Sequence, residues 1–312
     1  MLVKSITSLL SLLTLSFFIS FWSEACINGA GHDGIVPKNN LKIPSYVKSL
    51  NGITEEVFNS VIDDIEEIYA PIVESKGGEL NVIRNWDDAT VNAFAQRDGK
   101  KWKISMFGGL ARHETVTADG FALVMCHEIG HHIGGQPKKA SFFSATWASN
   151  EGQSDYFATT KCLRKYFQAH PETEDLSVVV ADVVQEKCMA VWGQSEDHKI
   201  CMRGAMAGQS IGNLFSALRN IEKPDFAKPD TTIVTKTNDN HPAAQCRLDT
   251  YFSGALCNVA DTVDFSDKDE QTGSCFVESG TVVGSRPLCW FKAKSKRSRS
   301  IRSELALASS QN

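Results

Sequence analysis

Apolar residues along this chain fall into runs whose spacing shifts between helical and strand-like, and the shifts mark the elements. Val57, Phe58, Val61, Ile62, Ile65 and Ile68 recur at three- and four-residue steps behind Thr54. That spacing predicts a helix capped by Thr54 and kinked or ended at Pro71. Gly77-Gly78 then turns the chain, and residues 79–86, 90–97 and 101–107 read as three short strands, the last two joined at Asp98-Gly99. Phe121, Met125, Ile129 and Ile133 form a stripe at four-residue intervals, predicting a helix that starts at Thr117 or Asp119 and stops at Gly134-Gly135. Further helices are expected over 149–167, 177–192 and 198–219, the second lending Val178, Val179, Val183, Val184 and Met189 to the core. Gly204, Gly208 and Gly212 let a neighbour approach the third closely, and residues 222–240 form a long loop able to rim a site. The pattern as a whole predicts an α+β fold, mainly helical, with a small mixed sheet beside the 117–134 helix.

Composition adds compartment more than class. A length of 312 residues holds one large or two modest domains, and a formal charge of −5 with no basic-aromatic module gives no nucleic-acid partner. Lys4, the apolar run Leu9 to Trp22 and Ser23-Glu24-Ala25 read as a signal peptide over residues 1–25. Uncleaved, the run is a membrane anchor. Cleaved, it leaves Cys26 first, a lipidation candidate although Ser23 stands where lipoprotein signals usually carry Leu. The expected location is therefore exported, either periplasmic or secreted, with membrane anchoring open at the N-terminus. Nine cysteines in such a chain predict disulfides and leave at least one unpaired. Cys126, inside the 117–134 helix, is the expected free thiol. Residues 261–312 carry Cys275 and Cys289 and end in a basic, serine-rich run from Lys292 to Arg302, read as a solvated tail.

The chemistry concentrates at His127-Glu128-Ile129-Gly130-His131. A helix turns about 100° per residue, so His131 lies about 40° round from His127 and Glu128 about 100°. Two imidazoles can then grip one ion while the carboxylate stands beside an open position. His132 lies about 140° from His127 and reads as a packing or supporting residue. Downstream, Glu151 and Asp155 are one helical turn apart. Glu151 completes a His₂Glu ligand set with a fourth position left open, the arrangement of catalytic rather than structural zinc. Asp155 suits a hydrogen bond to the far nitrogen of a ligand histidine.

With both motifs present, the chain resembles the gluzincin metallopeptidases. Asn92-Ala93-Phe94, the strand Ile104 to Leu110 and His241-Pro242-Ala243-Ala244-Gln245-Cys246-Arg247 narrow the resemblance to the CAAX prenyl protease and HtpX-like family. The matched pieces span 85–255 in that family's order; residues 156–240 match only in helical character. The resemblance implies a zincin-like peptidase domain over 26–260 holding one Zn²⁺ through His127, His131 and Glu151, with Glu128 as general base. It implies that Asn92, Ala93 and Phe94 border the cleft, where an extended protein or peptide substrate adds by backbone pairing. His241 would donate to the oxyanion, and Arg247 would hold Asp155 or Glu151. On the residues alone, His241-Pro242 equally reads as a helix start. A zinc-binding pseudo-peptidase acting as an envelope chaperone or assembly factor is the alternative expectation.

Overall fold

The computed structural model describes residues 34–47, 52–139, 146–173, 178–276 and 282–293, preceded by three two-residue strands of backbone. The apolar run read as a signal peptide, Cys26 and the basic stretch beyond residue 293 lie outside the described residues. In chain order the elements begin with β1 (Ser23–Glu24), β2 (Ile27–Asn28), β3 (Gly31–His32), α1 (Glu55–Ser75), β4 (Glu79–Asn85), β5 (Ala93–Asp98) and β6 (Lys101–Phe107). They continue with α2 (Gly108–Ala111), α3 (Ala118–Ile133), α4 (Glu151–Phe157), a π-helical turn over Ala158–Cys162, and α5 (Leu163–Ala169). After a short 3₁₀ turn (Pro171–Thr173) come α6 (Asp182–Trp192), α7 (Glu196–Arg219) and α8 (Ala244–Leu256). The fold is mixed α+β with a small mixed sheet. Among the described residues no helix is long and apolar enough to cross a membrane.

Thr54 caps α1 by accepting from the Val57 N–H, and Phe58, Val61, Ile62, Ile65, Tyr69 and Val73 form its buried face. Pro71 does not end the helix, which runs on to Ser75. In the sheet β6 lies between β4, parallel to it, and β5, antiparallel. Trp102, Ile104 and Met106 of β6 alternate inward. The free edge of β5 pairs with β1 in the register Ser23 to Arg97 and Glu24 to Gln96. Nearer the start of β5, the Ile35 N–H donates to the Ala93 carbonyl at 3.1 Å. Ile35 and Val36, in a stretch whose Gly and Pro content reads as loop, are wholly buried.

Helix α3 is the centre of the molecule. Thr117 caps it by accepting from the Gly120 N–H, and the chain leaves through Gly135 at φ 73°, a conformation only glycine takes without strain. The predicted single stripe widens to burial on every side, since Leu123, Val124 and Cys126 are as covered as Phe121 and Ile129. Each large apolar side chain so buried stabilises by about 1.5–3 kcal/mol. Several of them offset the cost of carrying polar groups in the same helix.

Three expectations need correction. Cys126 is not free: it is disulfide-bonded to Cys162, tying α3 to the π turn. The helix predicted over 149–167 starts at Glu151 behind the cap Asn150 and is interrupted by that turn. Helix α6 starts at Asp182 rather than Ser177; Val179 is 86 % exposed, and of the five residues predicted for the core only Val184 is fully buried. The other disulfides join Cys188 to Cys201, Cys246 to Cys289 and Cys257 to Cys275. The last two pin the C-terminal segment to α8, and Trp290 and Phe265 from that segment are buried against the rest of the chain. The four disulfides among the described residues suggest an oxidising environment.

Candidate metal centre

His127 and His131 leave α3 toward the start of α4. Their rings meet edge-on, centroids 4.8 Å apart. The Nδ1 of His127 lies 2.7 Å from Asp155 Oδ1. The Nδ1 of His131 lies 2.9 Å from the Ser149 carbonyl and 3.0 Å from Ser154 Oγ. An N–H at each Nδ1, donated to these oxygens, fixes the tautomer of the neutral ring, in which each Nε2 offers its lone pair to a cation. Those two nitrogens face Glu151 Oε2 at 3.4 and 3.8 Å. The three ligand-capable atoms lie within 4.8 Å of one another, and all three residues are buried. An ion with bonds of about 2.0–2.1 Å spaces its ligands by about 3.4 Å in a tetrahedron. The spacing therefore fits a small divalent cation, and His127, His131 and Glu151 can hold one.

The donor chemistry agrees. His127 Nε2 and both carboxylate oxygens of Glu128 and of Glu151 are buried without a hydrogen bond. Buried orphans of this kind are costly unless something fills them. Burial pushes the Glu128 carboxyl up to about 8, the neighbouring His127 acting against it. Burial likewise pushes His131 down to about 3. Burial also works against His127, but Asp155 outweighs it and raises the imidazole to about 9. For Glu151 the burial penalty is overcome by His241, His131 and His127, which hold it well below the usual carboxylate range. A second cluster, Asp230, Cys246 and Cys289, offers ligand-type atoms at similar spacing, but its two cysteines are joined in a disulfide and supply no thiolate.

Behind the centre stands a saturated ion-pair network. Arg247, from α8, donates through Nε to Asp155 Oδ2 at 2.8 Å and through Nη2 to Oδ1 at 2.7 Å. Its Nη1 donates to the Ile35 carbonyl at 2.7 Å, and its guanidinium lies over the Phe215 ring. The Tyr251 hydroxyl donates to Asp155 Oδ1 at 2.7 Å. Burial disfavours the Asp155 carboxylate, but Arg247 outweighs this and holds it at about 2. Close packing makes the network reachable: a methyl at Gly208 of α7 would sit 2.6 Å from Tyr251 Cβ.

His241 stands on the rim before α8. Its Nε2 lies 2.9 Å from the Gly34 carbonyl and 3.2 Å from Glu151 Oε2. Asn92 and Ala93 have a task other than the one expected of them. Asn92 Nδ2 donates to the Val36 carbonyl, its Oδ1 accepts from the Val36 N–H, and Ala93 pairs with Ile35, so the chain's own segment 34–36 occupies that edge. Phe94 packs edge-on against Phe107. His132 is stacked between Trp102 and Trp147, both at 14° to its plane, a packing role. Sequence reasoning missed Ser149, Ser154 and Tyr251. Tyr251 carried a signal, four residues after Arg247 on one helix face; the Ser149 contact uses a backbone carbonyl, which no sequence pattern marks. No protein-family model, curated protein or solved structure matches the chain.

Proposed function

We propose that the chain is a zinc-dependent metallopeptidase of the gluzincin kind, zincin-like in fold, hydrolysing peptide bonds in proteins or peptides outside the cytoplasm. One observation carries the reading: two tautomer-fixed imidazoles and one carboxylate oxygen converge within 4.8 Å beside a second carboxylate, Glu128, that has no hydrogen bond of its own. A zinc ion held by His127, His131 and Glu151 would supply a Lewis acid that polarises a carbonyl and makes water acidic enough to ionise near neutral pH.

The chain's own groups do the rest. Glu128 takes the proton from the attacking water and passes it to the departing amine, with no hydrogen bond of its own to compete for either. Asp155 and Arg247 keep the His127 ring in one orientation. His241, whose Nε2 lies 3.2 Å from Glu151 Oε2, would donate to the developing oxyanion once its bond to the Gly34 carbonyl is released. Four disulfides and the apolar leader support an exported protein.

The test pairs metal analysis of protein purified without chelator with cleavage of an unfolded protein, before and after chelation and after zinc is restored. One zinc per chain with cleavage that follows the metal is expected. Zinc without any cleavage would leave the pseudo-peptidase scaffold as the better reading, and absence of metal would remove both.

A further inference from the structure

The two oxygens of the Glu151 carboxylate face different groups. Oε2 looks toward His127, His131 and His241, whereas Oε1 looks toward Lys139, whose Nζ lies 3.6 Å away. The Lys139 side chain is only 13 % exposed, and its backbone is built into place. Its N–H donates to the Ala148 carbonyl at 2.8 Å, and the Thr146 hydroxyl donates to its carbonyl. Just before it, Lys138 bridges to Ser149, and the Asn150 N–H donates to the Pro137 carbonyl at 3.0 Å. The segment leaving α3 thus doubles back on the residues leading into α4 and delivers an ammonium group to the outer oxygen of the third ligand.

Lys138 supplies the contrast. It has the same charge and nearly the same exposure, 14 %, yet it turns away to Asp267 at 2.6 Å and to the Trp147 carbonyl at 3.1 Å.

We propose that Lys139 is a positioning residue that keeps Glu151 to one-oxygen metal binding, leaving a coordination position open for chemistry. The assignment rests on the metal-centre reading above. A buried carboxylate with neither oxygen hydrogen-bonded can chelate a cation through both, which raises the coordination number and fills the position catalysis requires. An ammonium on Oε1 opposes this, because binding through that oxygen would cost the ion pair and bring two cations together. Lys139 belongs to no motif recognised in the sequence, and its role comes entirely from this placement.

The test uses the full chain loaded with cobalt(II), whose visible absorption is several-fold stronger in four-coordinate than in five- or six-coordinate sites. The parent, Lys139→Arg and the control Lys138→Met should share one intense band. Lys139→Met should lose at least half of that intensity while still binding one cobalt per chain, and its peptide hydrolysis should fall about 10–100-fold. Lys139→Gln, polar and of similar length, should give the same loss of intensity in a variant that puts no apolar group beside Glu151. A Lys139→Met or Lys139→Gln spectrum that superimposes on the parent's overturns the assignment alone. A parent chain that binds no cobalt overturns the metal centre and the assignment together.

Discussion

Two charged clusters lie side by side at the centre of this molecule, and both are sealed from solvent. In one, Asp155, Arg247 and Tyr251 exchange hydrogen bonds of 2.7–2.8 Å with one another and with His127 Nδ1. In the other, Glu128, Glu151 and His127 Nε2 make none. The two clusters meet on opposite nitrogens of one imidazole. Burying a polar group unpaired costs about 1–3 kcal/mol, more when it is charged, so the first cluster is what a scaffold contains and the second what a binding site contains. Burial of charge is common to both clusters; what separates them is whether the buried groups hydrogen-bond one another.

The sharpest way to break this contrast is to change one residue on each side. Glu128→Gln removes a base that no other group holds, so hydrolysis of an unfolded protein substrate should fall about 10²–10⁴-fold. The melting temperature should hold or rise, because a neutral amide replaces a buried acid. A variant that cut its substrate at the parental rate would end the role given to Glu128. Arg247→Met should behave in the opposite sense. It strips the buried Asp155 carboxylate of its guanidinium and leaves it only the Tyr251 and His127 hydrogen bonds, and a urea titration should show a loss of about 3–5 kcal/mol. A loss under about 1 kcal/mol would mean that the network is no scaffold. A smaller effect tests the orphans directly: zinc at about 100 times its dissociation constant should raise stability by about 2.7 kcal/mol, and Glu151→Gln should abolish most of that gain.

Much of the centre was legible because helical geometry fixes it locally. His127, Glu128 and His131 share one helix, and Glu151 with Asp155 share the next, so their mutual directions follow from residue number. What failed depended on the back of an element or on distant chain. Cys126 was misread because nothing near it in sequence announces that Cys162, thirty-six residues on, faces the same side of α3. Ile35 and Val36 carry no periodicity among glycines and prolines, yet they fill the core and take the edge at Asn92 and Ala93 expected to meet substrate. Val179 fits a helical stripe that never forms, since the chain around Ala181 stays extended until Asp182. Lys139 was invisible because a lone lysine in a loop matches no pattern.

The gentlest discrimination between the clusters is by pH, on chelated protein. Asp155 titrates near 2 in the folded chain against an ordinary 3.8. Its carboxylate therefore stabilises the fold fully above about pH 4, and that stability is lost as pH falls through 2. Glu128 has the reverse sign. Its folded carboxyl titrates near 8 against 4.5, so it binds a proton that the unfolded chain has released, and the stability this brings fades as pH rises from 4.5 through 8. Either slope is at most about 1.4 kcal/mol per pH unit. Urea midpoints should accordingly depend less on pH below 4 in Asp155→Asn than in the parent, and less between 4.5 and 8 in Glu128→Gln. Asp155→Asn should also flatten the window from 6.5 to 9, because it removes what raises His127. If Glu128→Gln flattened the window below 4 as well, the two clusters would be titrating as one, and the division between scaffold and site would fall.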